Sequence, residues 1–322
     1  MVACESRQSD KVCDPDASGQ PAQSVQAIEQ VELFGTSLGP RELALTFDDG
    51  PSARTIELSR YLASQGIAAT FFINGKRVPG REAALAQVVA DGHLLANHTQ
   101  NHTSLPTLSA PDIVRELEDT DAILAPLVPG GRFLFRPPYG HWDSATYAAI
   151  QASPMSKYVG PIRWDIGGMM SPGSAADWDC WDDNGNGVLT TQGCADLYVT
   201  ETSAVGRGIV LMHDFHEFGG PPGTPDAPGN TVDMVPLLVP RWRAAGYTFV
   251  RLDRVPQISA LLPPLPGPDA GEAGPVDSGD SAIQNDSAVD ASGPVVDGAP
   301  DSPPPPVTPP PPVPPDPCAP RN

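Results

Sequence analysis

From residue 41 to about residue 260 the chain alternates two hydrophobic patterns. One is a short, nearly continuous apolar run, seen at 43–47, 68–73, 93–97, 132–135, 157–164, 208–212 and 247–251. Such runs, rich in β-formers, predict strands buried on both faces, as in parallel sheets. The other is an amphipathic stretch, at 55–65, 81–91, 111–125, 144–151 and 232–245. In 111–125, Ile113, Leu117 and Ile123-Leu124 recur near helical spacing, so one face is apolar. Strand and helix in alternation predict parallel βα units. About seven strands within roughly 220 residues predict an irregular (β/α) barrel, an α/β fold.

Both flanks lack this pattern. Residues 1–40 are polar and weakly patterned and read as a leader or linker. Residues 261–322 are Pro, Asp, Gly, Ser and Ala, with nineteen of the 40 prolines between Pro263 and Pro320. Such a segment buries too little apolar surface to offset its ordering entropy. It is expected to be a disordered, acidic, Pro-rich tail with extended polyproline character. The folded domain is therefore expected at 41–260.

Composition narrows the function. A formal charge of −20 argues against nucleic acid as partner and against docking on anionic lipid. No stretch reaches the ~20 apolar residues that cross a bilayer. Met1-Val2-Ala3-Cys4 looks like the end of a bacterial lipoprotein signal, with Cys4 as the lipid-anchored residue. The start at Met1 is then expected to be trimmed or mis-set, and the protein to lie outside the cell or in its envelope. The five cysteines contain no CxxC pair, which argues against a structural zinc cluster. Cys180 and Cys194 bracket a Gly/Asn-rich loop and can close it as a disulfide, as suits an oxidising compartment.

Four short segments carry the chemistry. Thr46-Phe47-Asp48-Asp49-Gly50-Pro51 runs an apolar strand into two adjacent carboxylates and a turn. Barrel enzymes place their chemistry at the C-terminal ends of strands, and here one carboxylate can bind metal while the other handles protons. His98-Thr99-Gln100-Asn101-His102 offers two histidines at i and i+4, a chelating spacing on a helical turn. With one Asp this makes a two-His, one-carboxylate site; zinc fits best, with cobalt, nickel or manganese as alternatives. Arg136-Pro137-Pro138-Tyr139-Gly140 supplies an arginine that can keep a carboxylate ionised, and a rigid turn that can aim an N–H at an oxyanion. Ile209 to Asp214 delivers His213 at a strand end, well placed as a general acid. His93, His141 and His216 read as structural.

These segments, in this order, resemble the polysaccharide deacetylase family, the NodB-homology domain of carbohydrate esterase family 4. The resemblance covers most of residues 41–255. It implies a divalent metal, usually zinc, held by Asp49, His98 and His102. It further implies Asp48 as catalytic base, His213 as catalytic acid, Arg136 as the residue orienting the base, and Tyr139 as the source of a backbone N–H for the oxyanion. An Asp-Trp pair that lines the groove and tunes the acid usually follows a strand closely in the family. Here the strand ends at Trp164-Asp165, and Asp177-Trp178 comes only after a further stretch. Asp177 and Trp178 are assigned to this role, with Asp165 as the alternative. Asp182, Asn184, Asn186 and Gly187 mimic the start of a calcium loop, but Gly193 stands where the bidentate acid belongs, so no calcium site is expected.

The expected activity is hydrolysis of acetyl groups from a carbohydrate polymer such as peptidoglycan or a chitin-like glycan, by a single chain. Acetylated xylan is the alternative substrate. Trp142, Trp178 and Trp181 lie on loops where an aromatic ring can stack on sugar. A non-catalytic glycan-binding module would not need the acid–base pair, and a small-molecule amidase would not need the tail.

Overall fold

The computed structural model describes residues 28–168, 174–181, 189–214 and 230–264. The chain begins with strand β1 (Ile28–Leu33) and then β2 (Glu42–Gly50), the longest strand. Six of β2's nine residues, Leu43 through Asp48, are consecutively buried, so it is enclosed on both faces. Helix α1 (Thr55–Ser64) crosses over to β3 (Thr70–Ile73), and α2 (Glu82–Ala90) crosses to β4 (Leu94–Asn97). Then come α3 (Ala110–Leu124), α4 (Ser144–Gln151), β5 (Gly160–Ile162), α5 (Asp177–Cys180), α6 (Thr191–Val205), β6 (Gly208–His213), α7 (Asn230–Ala244), β7 (Thr248–Phe249) and α8 (Pro256–Ser259).

Every strand pairing is parallel. β2 lies between β3 and β6, β4 extends the sheet beyond β3, and β7 pairs the start of β2. β1 pairs β5. Isolated bridges join these pieces into an irregular barrel: Asn97 to Phe135, Leu134 to Val159, and Ile166 to Val210. The core around the strands is apolar, with Leu43, Leu45, Phe47, Phe71, Ile209 and Val210 all buried. Phe47 and Phe71 stack at 5.2 Å between ring centroids.

The expected barrel of about seven strands is present, but its members differ. The run at 132–135 forms only bridges, because Arg132 turns inward to pair with Asp253 at 2.5 Å and Arg136 is committed to the site. The seventh strand is instead β1, within the stretch read as leader. Its polar composition hides it, yet Leu33 and Leu38 are buried and the Arg163 N–H donates to the Leu33 carbonyl. At the other end Leu262 is buried, so the packed chain continues slightly past 260. Helix α6 has no counterpart in the hydrophobic pattern: its Thr, Val and Gly content reads poorly as helix. Buried Tyr198 and Cys194 hold it in place. Cys4, His216, residues 182–188 and the tail from 265 lie outside the described residues.

Candidate metal and acid–base centre

The end of β2 sends two adjacent carboxylates in different directions. Asp48 is the last residue of β2 paired with β6 and is buried, while Asp49 adopts a left-handed backbone, φ 67°. Gly50 follows because a Cβ there would lie 2.4 Å from Asp214 Oδ2. Asp49 Oδ1 is 3.2 Å from His102 Nε2 and 3.5 Å from His98 Nε2. One ligand atom from each of Asp49, His98 and His102 falls within 4.8 Å of the others. One hard oxygen and two imidazole nitrogens form a donor set that fits a divalent ion such as zinc.

The two histidines do not share a helical turn, contrary to the spacing argument. They belong to a loop after β4, in which Thr99 (φ 67°) and His102 (φ 60°) are left-handed. The loop folds the rings back to 5.0 Å between centroids. Nδ1 of His98 lies 2.8 Å from the Arg136 carbonyl oxygen, which turns Nε2 toward the aspartates. Burial holds His98 far below the usual imidazole range, at about 3, so it stays neutral and can ligate.

Arg136 is fully buried behind Asp48. Its Nη1 donates to Asp48 Oδ1 at 2.6 Å and to Thr46 Oγ1 at 2.9 Å. Its Nε and Nη2 donate to the Ile162 and Arg163 carbonyls, and Phe72 packs 4.2 Å beneath it. Burial raises the Asp48 pKa, and Arg136 pulls against that rise. Tyr139 is again left-handed, φ 59°, with an exposed phenol whose ring lies 4.6 Å from His102. Of the five left-handed non-glycine residues described, Asp49, Thr99, His102 and Tyr139 sit at this centre, where functional strain concentrates.

The acid side is assembled from farther apart in sequence. β6 ends at His213, paired in register with Asp48 across the sheet. Asp177 Oδ1 is 2.8 Å from His213 Nδ1, and its Oδ2 accepts from the His213 N–H at 2.6 Å and from Thr231 Oγ1 at 2.8 Å. Burial lowers the His213 pKa, but Asp177, Asp49 and Asp48 outweigh it and lift the group to about 9. Asp165 is elsewhere, accepting from the Gly35 and Ile209 N–H groups. Cys180 and Cys194 are bonded, with Cα atoms 5.8 Å apart, tying α5 to α6. Trp178 stays 40% exposed beside Asp177. Trp181 is buried and donates to Thr231 Oγ1, and Trp142 packs partly buried against Phe135. The Trp181 indole is closed off, and that of Trp142 is partly covered.

Asp214 escapes the sequence reading. It is buried and accepts from Ser52 Oγ at 2.8 Å and from Thr55 Oγ1 at 2.5 Å, bracing the turn after Asp49. The available signal is a second acid directly after a strand-end histidine.

A profile described as polysaccharide deacetylase matches residues 36–157. A chitin deacetylase of Colletotrichum lindemuthianum is 31% identical over 186 residues, 55% of this chain and 68% of that protein. The chain belongs to the polysaccharide deacetylase family. A chitooligosaccharide deacetylase of Rhizobium leguminosarum bv. trifolii is 28% identical over 234 residues, 69% of this chain and 95% of that protein. The solved structure of the Colletotrichum chitin deacetylase superposes with a TM-score of 0.53 at 25% identity, covering 67% of this protein and 87% of that chain. Among the described residues no helix is long and apolar enough to cross a membrane.

Proposed function

We propose that this protein hydrolyses acetyl groups, first of all N-acetyl groups, on an extracellular or cell-envelope glycan. The supporting observation is convergence: Asp49, His98 and His102 face one point, flanked by the Asp48–Arg136 pair and the Asp177–His213 pair. A divalent ion held by the triad, zinc by preference, would supply Lewis acidity toward the acetyl carbonyl and the attacking water.

The remaining work falls to side chains. Asp48, made more basic by burial and oriented by Arg136, takes the proton of the attacking water. The turn at Tyr139 presents its backbone N–H to the developing oxyanion. His213 is kept protonated and oriented by Asp177 and donates to the departing amine. Acetate and a free amine leave. Trp178, exposed beside Asp177, is the aromatic surface for a sugar ring.

The names of the two relatives support a chitin-like or chitooligosaccharide substrate. The disulfide supports an oxidising compartment. The test is acetate release from N-acetylchitooligosaccharide, peptidoglycan and acetylated xylan, before and after chelation and zinc return. Release from the N-acetylated glycans that is lost on chelation and regained with zinc is expected. Release from xylan alone would move the chemistry to ester cleavage. Release unaffected by chelation would remove the metal. Deleting residues 270–322 is expected to leave release unchanged.

A further inference from the structure

The loop that brings His98 and His102 together has little regular structure of its own. It contains two left-handed residues, Thr99 and His102, and leaves the sheet at Asn97. Something outside the loop must hold it in this shape. Resting on the metal-site reading above, we infer that Glu116 of α3 is a positioning residue for the histidine loop, acting through Asn101.

Glu116 sits on the buried face of α3 with Ile113, Leu117, Thr120 and Leu124. A carboxylate in such a stripe is costly unless it is hydrogen-bonded. Both of its oxygens are used on one residue of the loop. Oε2 accepts from the Asn101 backbone N–H at 2.8 Å, and Oε1 accepts from Asn101 Nδ2 at 2.7 Å. The Glu116 carbonyl accepts from the Gln100 N–H at 2.8 Å. Glu116 thus grips the two residues directly before the ligand His102 at three points. The next residue of α3 adds a fourth grip, as the Leu117 carbonyl accepts from Asn97 Nδ2 at 3.0 Å, directly before the ligand His98. The helix therefore fixes both ends of the ligand pair, and the carboxylate fixes the end with the strained ligand.

The geometry makes an exchange test available. In Asn101→Asp two carboxylates oppose each other and the grip is lost. In Glu116→Gln alone the Asn101 amide can turn over, offering Oδ1 to the new amide N–H, so the grip survives. In the double variant, the amide oxygen introduced at position 116 accepts from the backbone N–H of residue 101. The amide nitrogen beside it donates to the carboxylate introduced at position 101.

The measurement is zinc affinity of the full chain by competition with a chromophoric chelator, beside the melting temperature without zinc. Asn101→Asp is expected to weaken zinc binding roughly ten-fold or more, as outer partners of metal ligands do. Glu116→Gln and the double variant are expected to stay within about three-fold of the wild type, a small fraction of that loss. Wild-type zinc affinity in Asn101→Asp, whatever its melting temperature, would show a merely structural contact and overturn the inference. Should Asn101→Asp fail to fold, Glu116→Ala gives the same reading without a like-charge pair. His102→Ala separates the two levels: if it binds zinc as the wild type does, the metal site itself is wrong and the inference falls with it.

Discussion

The His98–His102 loop and the α5 segment carrying Asp177 supply opposite sides of one centre, and they are fastened differently. The loop spans five residues next to its strand and is held by hydrogen bonds to α3, the Arg136 carbonyl and left-handed backbone. Asp177 arrives from a longer connection between β5 and β6, on a four-residue helix too short to be stable alone. A disulfide three residues on and bonds to Thr231 and His213 hold it. The metal side is therefore a property of the barrel's own strand ends. The acid side depends on an inserted segment and a covalent tie, and the two sides should fail separately.

Four perturbations exploit this difference. The largest effect is expected at the shared strand: Asp48→Asn should lower kcat by about 10²–10⁴-fold, as loss of a general base does. Zinc affinity should persist, since Asp49 remains. A variant that loses zinc instead would exchange the roles of the two aspartates.

Asp177→Asn comes next. His213 has its pKa raised to about 9 in the folded chain, against about 6.5 unfolded. Its charge thus contributes stability that is fully present below about pH 6.5 and is lost as pH rises through about 9. Removing the Asp177 carboxylate lowers the folded pKa. The alkaline limb of kcat/KM should move to lower pH and the stability loss on that side should shrink. An unmoved limb, read from a pH–rate profile, would mean that another group is the acid.

Replacing both Cys180 and Cys194 by Ser should lower the melting temperature, by an amount equivalent to about 3 kcal/mol in the loop-entropy model. Turnover should fall a few-fold while zinc affinity holds. Equal loss of zinc affinity would erase the distinction between the two sides.

The smallest effect should lie away from both. His93 is buried between strands, its Nδ1 accepting from the Ala69 N–H and its Nε2 donating to the Ser59 carbonyl. Burial lowers its pKa. Its neutral form therefore contributes stability that is complete above about pH 6.5 and declines as pH falls toward the folded pKa. His93→Gln should flatten that decline with little change at pH 8, measured by denaturant titration at several pH values.

The metal side is legible in the sequence because strand, turn and ligands are contiguous: an apolar run announces β2, and Asp48-Asp49 follows at once. The amphipathic stretches place each predicted helix within two residues of its ends, α3 and α4 among them. The pattern does not show β1, whose polar residues belong to a strand with an exposed Val31, nor α6, whose position rests on tertiary contacts and the disulfide. The His98–His102 spacing reads as helical and is not, because i, i+4 proximity arises equally from a loop with two left-handed residues. The choice of Asp177 over Asp165 is open in the sequence and is a matter of three-dimensional reach: only Asp177 bonds to His213.

The pairing of Asp48 with His213 fixes one dimension of the centre. The two residues are partners in one parallel ladder, and the Asp214 N–H donates to the Asp48 carbonyl at 2.9 Å. Adjacent strands keep a spacing of about 4.8 Å in any sheet. The gap between the Asp48 and His213 backbones is thus inherited from strand pairing and not from any rim segment. The segment bearing Asp177 and Trp178 then sets the orientation and charge of the His213 ring, while the distance between the two strands is already fixed beneath it.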